Sequence, residues 1–175
     1  KGHALKPNFW RAPTDNDFGA NLQRRFVDWK EPGLRLKRDS FKWAKEGNNM
    51  VVTAEYELPK LEATLLMKYT LTADGQLVVN QSLKAGENKE GKPQLFRFGM
   101  QMVMPEAYSN IVYYGEGPGE NYIDRNLDQT IEVYSQKVAD QYFPYIRPQE
   151  SGNKTGVRYW RVLDNAGKGL EFYGT

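Results

Sequence analysis

Residues 64 to 84, "TLLMKYTLTADGQLVVNQSLK", leave a folded chain little choice. Leu65, Met67, Tyr69 and Leu71 alternate with their neighbours, and Leu77, Val79, Gln81 and Leu83 return with the same period. Side chains alternate between the two faces of a strand, so each arm reads as a half-buried strand. Between the arms stands Asp74-Gly75, and an Asp-Gly pair between alternating runs is the strongest short-range hairpin signal because both residues tolerate positive φ. An antiparallel hairpin follows.

The same period recurs along the chain. Met50, Val52, Ala54, Tyr56 and Leu58 fall on one strand face, with Val51, Thr53, Glu55 and Glu57 on the other. Leu34 and Leu36 occupy even positions whereas Phe41 and Trp43 occupy odd ones, which predicts a turn or β-bulge between them. Phe96, Phe98, Met100, Met102 and Met104 suggest another strand, and residues 157–164 and 168–173 a hairpin around "NAGKG". Helical spacing shows only in Phe18, Leu22, Phe26 and Trp29, one short helix stopped by Pro32-Gly33. Residues 115–156 are broken by Gly115, Gly117, Gly119, Gly152 and Gly156 and by Pro118, Pro144 and Pro148, so long ordered loops are expected there. Such patterning gives an all-β, antiparallel sandwich with one short N-terminal helix, and 175 residues without a compositional break suit a single domain, 1–175.

Composition removes several function classes. Lysines and arginines number 24 against 22 acidic residues with the signs interspersed, which provides no basic stripe for a phosphate backbone, so no nucleic-acid partner is expected. No apolar run approaches the ~18 residues of a membrane span, which points to a soluble chain with no membrane partner; cytoplasm and periplasm both stay open. Without cysteine there is no disulfide and no thiolate ligand or nucleophile, and His3 alone does not make a histidine-based triad or metal site. A chain opening on Lys1 and closing on "LEFYGT" reads as part of a longer polypeptide.

Three motifs carry whatever chemistry is present. In "FWRAPTDND", Asp15, Asn16 and Asp17 are oxygen donors, but they lack the spacing of a calcium loop. They read instead as a tied turn in which Phe9, Trp10 and Arg11 anchor the chain, Asp15 or Asn16 bonds turn amides and Asp17 caps the helix. In "YGEGPGENYIDR", the glycines miss the phosphate-loop pattern, and Glu116, Glu120 and Asp124 would repel a phosphate. Two readings remain: a sugar-facing loop whose Glu120, Tyr122 and Arg125 bond and stack on a carbohydrate, or a loop pinned by its own arginine. In "PYIRPQESGNKTGVRYW", Arg147, Glu150, Asn153 and Arg158 admit the same pair of readings. Nothing in the spacing brings two carboxylates together as glycoside hydrolysis requires.

Taken in order, "NFWRAPTDND", "GEGPGENYIDR" and "PYIRPQESGNKTGVRYW" resemble the C-terminal domain of the large bacterial β-galactosidases of glycoside hydrolase family 2, from about Phe9 to Trp160. The resemblance implies a β-supersandwich of the galactose-mutarotase-like class, truncated relative to the family's usual terminal domain. It implies a retaining parent enzyme acting on terminal β-D-galactosides, whose two catalytic glutamates lie in an upstream (β/α)8 barrel. This segment would then hold no catalytic residue, would pack on that barrel and other parent domains, and would shape one wall of the pocket. Magnesium or sodium ions belong to the parent, with no metal or cofactor expected here. Two alternatives remain: an autonomous carbohydrate-binding module using Glu120, Tyr122, Arg125, Glu150, Asn153 and Arg158, or a mutarotase-like enzyme, which would need His3 paired with a glutamate.

Overall fold

The structure, a computed structural model, describes residues 5–32, 36–87 and 90–174. Its described part is built on antiparallel strands, with α-helix confined to α1 (Asp15–Gly19) and α2 (Leu22–Arg25) and a few single 3-10 turns besides. No helix of the described residues is long and apolar enough to cross a membrane. The chain divides into two compact bodies. Of the described residues, one holds those of 5–11 and 17–102, and the other those of 12–16 and 103–174.

The first body is a four-stranded meander, β2 (Lys37–Glu46), β3 (Asn49–Leu58), β4 (Ala63–Leu71) and β5 (Leu77–Ala85), each paired with the next. The hairpin read from the sequence is present with Leu65 opposite Leu83, Met67 opposite Gln81 and Tyr69 opposite Val79. Its turn closes through the Thr72 amide donating to the Gln76 carbonyl at 2.9 Å, and Gly75 takes φ 88°, which a side chain would resist. Directly paired residues share a face, so Leu58, Ala63, Leu65 and Met67 form one apolar surface with Tyr56 and Leu83 at its margin. Burying a side chain such as Leu65 or Met67, both fully covered, contributes about 1.5 to 3 kcal/mol each.

The phase slip expected between Leu36 and Phe41 is a bulge. Pairing of β2 with β3 shifts register between Arg38 and Ser40, which brings Phe41 and Trp43 opposite Ala54 and Val52. Leu34 lies outside the described residues. Val51, on the face read as outward, is nevertheless buried beside Ala44 and Thr70.

Two expectations need correction here. The single helix is broken: Asn21 takes a left-handed φ of 58°, separating α1 from α2, and residues 27–29 form a 3-10 turn. Phe26 and Trp29 still reach the core that the helical spacing assigned them. The strand read over residues 96–104 shrinks to β6 (Gly99–Gln101), which pairs with β1 (Lys6–Asn8). Phe96 leaves strand geometry to stack 5.5 Å from Phe26 and to take Trp10 at 5.0 Å.

The second body is the sheet β10-β9-β7-β8, made of β7 (Asn110–Gly117), β8 (Thr130–Lys137), β9 (Tyr159–Leu163) and β10 (Gly169–Tyr173). The β9–β10 hairpin is the one read around "NAGKG": the Asp164 carboxylate accepts from the Ala166 and Lys168 amides at 2.8 and 2.9 Å. Residues 130–137, assigned to loop by the sequence, are a strand. Ile131 and Val133 alternate there, but as an edge strand it leaves them 47% and 59% exposed, so no buried stripe announces it.

Candidate functional site

Each motif can be followed to its partners. Phe9 is fully buried, with its ring 5.6 Å from Trp29 and 6.1 Å from Phe98. Trp10 donates its amide to the Asn8 carboxamide oxygen at 3.1 Å. Arg11 pairs with Asp17 at 3.0 Å while its guanidinium lies 4.8 Å from the Phe96 ring centre. Asp17 thus sits within α1 and binds Arg11, where the sequence reading had it capping the helix. Asp15 bonds a distant side chain in place of the expected turn amides: its amide donates to Gln149 Oε1 at 3.0 Å, Gln149 Nε2 donates back at 3.2 Å, and Arg147 approaches at 3.7 Å.

The middle and late motifs form one network at the end of β7. Its centre is Asn121, completely buried and absent from the candidates that sequence reasoning selected. Asn121 Nδ2 donates to the Glu116 and Gly119 carbonyls, each at 3.1 Å, and Oδ1 accepts from the Thr155 amide at 2.7 Å. The Asn121 amide donates to the Asn153 carbonyl at 2.9 Å, and Asn153 Nδ2 returns a bond to the Asn121 carbonyl at 2.7 Å. One asparagine side chain therefore matches three backbone groups across two loops, using both donors of its carboxamide and its oxygen as acceptor. Its signal in sequence was slight, an amide in a glycine-rich turn.

Glu120 and Arg125 meet as the pinned-loop reading required. The carboxylate, 8% exposed, accepts from Arg125 Nη2 at 2.8 Å and from the Gly152 amide. Arg125 also donates to the Tyr145 hydroxyl at 2.9 Å and lies 5.6 Å from the Tyr122 ring centre. Gly152 has φ 81°, and a Cβ there would press on the Gln141 carbonyl, so this amide reaches Glu120 only from a glycine. Arg158 bonds the Gly156 carbonyl beside Glu116. The Glu150 amide donates to the Pro13 carbonyl at 3.4 Å. Of the six sugar-facing candidates, the structure gathers Glu120, Tyr122, Arg125, Asn153 and Arg158 but leaves Glu150 on the opening motif.

The electrostatics of this cluster are those of a fastened loop. The Thr155 hydroxyl, then the Asn126 amide at 2.9 Å, bond the Glu116 carboxylate and hold its pKa below the ordinary 4.5, with Arg158 adding to the effect. A glycosidase acid needs the opposite shift, since a carboxyl that donates a proton near neutral pH must be raised. Burial pushes the Tyr113 hydroxyl up to about 12, the neighbouring Tyr134 assisting, so it stays protonated. Among the described residues no group of three or more His, Cys, Asp or Glu is arranged to hold a metal ion.

A depressed folded pKa gives stability that is present above the unfolded carboxylate value and is lost as pH falls through the folded one. The network is therefore expected to weaken below pH 4.5, the ordinary value for Glu116. Urea midpoints at pH 7 and at about pH 3.5 should diverge less in Glu116→Gln than in the parent chain. An equal drop in both proteins would remove Glu116 from the acid response.

Residues 2–173 match the family described as "Beta galactosidase small chain". The chain is 34% identical over 170 residues to a beta-galactosidase of Priestia megaterium, covering 97% of this chain and 16% of that protein. It is 34% identical over 166 residues to one of Halalkalibacterium halodurans and 36% identical over 167 residues to one of Lactobacillus delbrueckii subsp. bulgaricus, covering 94% of this chain and 16% of the relative in each case. The chain spans about a sixth of the length of these relatives. On a match that takes in nearly every residue, it belongs to the beta galactosidase small chain family.

Proposed function

We propose that this segment is a non-catalytic, architectural module of a retaining β-galactosidase, with cleavage of terminal β-D-galactosides carried out by carboxylates elsewhere in the parent chain. The single observation that carries this reading is the commitment of its loop carboxylates. Glu116 is held below the ordinary carboxylate value by the Thr155 hydroxyl and Asn126 amide, and Glu120 is closed on Arg125 and the Gly152 amide. A carboxyl whose pKa is held down makes a poor general acid, and a carboxylate whose lone pairs are taken by fixed donors makes a poor nucleophile. Such bonds fix irregular backbone, and a fixed loop is what a pocket wall on a neighbouring catalytic domain requires. The packing partners are the barrel and remaining domains of the parent, and any magnesium or sodium the enzyme uses would be bound there.

A chromogenic galactoside separates this reading from a catalytic one. The 175-residue chain is expected to release no nitrophenol above the buffer rate. In the full polypeptide carrying this segment, Glu120→Gln is expected to leave kcat within about threefold, a change of under about 1 kcal/mol in the barrier. Hydrolysis by the chain alone that disappears in Glu116→Gln or Glu120→Gln would overturn the proposal.

A further inference from the structure

Away from the loop network, the β7–β10 sheet carries a row of three tyrosines that the preceding sections leave without a role. Pairing sets Tyr114 opposite Tyr159 and Tyr159 opposite Tyr173, so the three cross adjacent strands on one face. Their ring centres lie 6.1 and 6.3 Å apart. Tyr173 is 70% exposed and Tyr114 36%, although aromatic rings of this size are usually covered.

The next row on the same face is polar. Two residues along each strand, Arg161 stands opposite Glu171 and Val112. Arg161 and Glu171 form an ion pair, Tyr173 donates its hydroxyl to the same carboxylate, and the guanidinium lies 5.3 Å from the Tyr159 ring centre. These bonds keep Glu171 below the ordinary carboxylate range, the Tyr173 hydroxyl contributing first and Arg161 second, so at neutral pH it is an acceptor beside a fixed donor.

We infer that this strip is a binding surface for a pyranose chain. A pyranose presents a flat CH surface, which an aromatic ring accepts, and a rim of hydroxyls, which a planar guanidinium and a carboxylate can bond in pairs. An aromatic row beside a donor–acceptor row on a rigid sheet supplies both along one line, and three rings in register suit an oligosaccharide better than one sugar. A protein partner fits less well, because charged residues are depleted from the centres of protein interfaces and here an ion pair lies against the rings. Single-stranded nucleic acid needs net positive charge along its track, which Glu171 cancels. The strip is independent of the architectural role proposed for the loop network and stands or falls by itself.

The test is a nitrogen-15 NMR titration of the chain with β-1,4-galactotetraose and, in parallel, cellotetraose. Saturable shifts are expected at residues 112–114, 159–161 and 171–173 with at least one of the two, at a dissociation constant of about 1 mM. Tyr159→Ala and Tyr173→Ala are each expected to weaken binding at least about tenfold. Tyr173 is surface-exposed at an edge strand, so the second variant keeps the fold should the first lose it. Tyr142→Ala, removing a 72% exposed tyrosine outside the strip, should leave the titration unchanged. The inference is overturned by an absence of saturable shifts with both tetrasaccharides, by shifts confined to residues 116–126, or by equal loss in Tyr142→Ala. A dimer in sedimentation that Tyr173→Ala dissolves would assign the face to a second copy and also overturn it.

Discussion

Phe9→Ala is expected to lower the unfolding free energy by about 3 to 5 kcal/mol, a large share of a domain's usual margin. Phe9 is fully covered, packs between Trp29 and Phe98, and belongs to the same buried cluster as Leu58, Leu65 and Met67. Alanine would forfeit the transfer energy of the ring and leave a cavity, and the β4 residues lining it are fixed by pairing on both sides, which restricts collapse. Urea unfolding followed by circular dichroism measures the effect. A loss under about 1 kcal/mol would mean that the opening motif does not anchor the chain, against the role assigned to it here.

Asn121→Ala is expected to cost about 3 kcal/mol in the second body. It leaves the Glu116 and Gly119 carbonyls and the Thr155 amide without their partner; a fully buried group so left carries a penalty of about 1 to 3 kcal/mol, and water reaching these partly exposed residues relieves part of it. Asn121→Asp should be no better, since it replaces the donor facing two carbonyls with a carboxylate oxygen. Hydrogen exchange at the Thr155 amide, combined with a thermal melt, reads both variants. Unchanged exchange in Asn121→Ala would show that the loops are held by Glu120 and Arg125 without it.

The sequence told most where a repeating period met a one-sided burial. The hairpin around Asp74-Gly75 has the pairing that its alternation dictates, and the slip between Leu36 and Phe41 is the bulge at Arg38 and Ser40. Legibility failed where burial was uneven. In β8, Ile131 and Val133 are exposed, so the strand gives no stripe to detect. Spacing alone makes the helix around Leu22 continuous, because periodicity reports which side chains face the core and not whether the backbone between them turns through a left-handed Asn21. At the site, charged residues stand out in sequence, and the pinning of Glu120 by Arg125 is one of the two readings that their spacing allows. Asn121 escaped because a carboxamide acquires its importance from carbonyls brought together by the fold, and no local spacing encodes them.

The placement of residues 12–16 has a mechanical corollary. They precede nearly all of the first body in the chain yet belong to the second, where the Pro13 carbonyl holds the Glu150 amide and Asp15 grips Gln149. A gene piece starting at Val103 would thus lack a splint that its own 147–150 stretch needs. For the same reason, a protease nick between Met102 and Val103 would sever the polypeptide without freeing the halves, because the upstream piece still has a finger clasped by the downstream one.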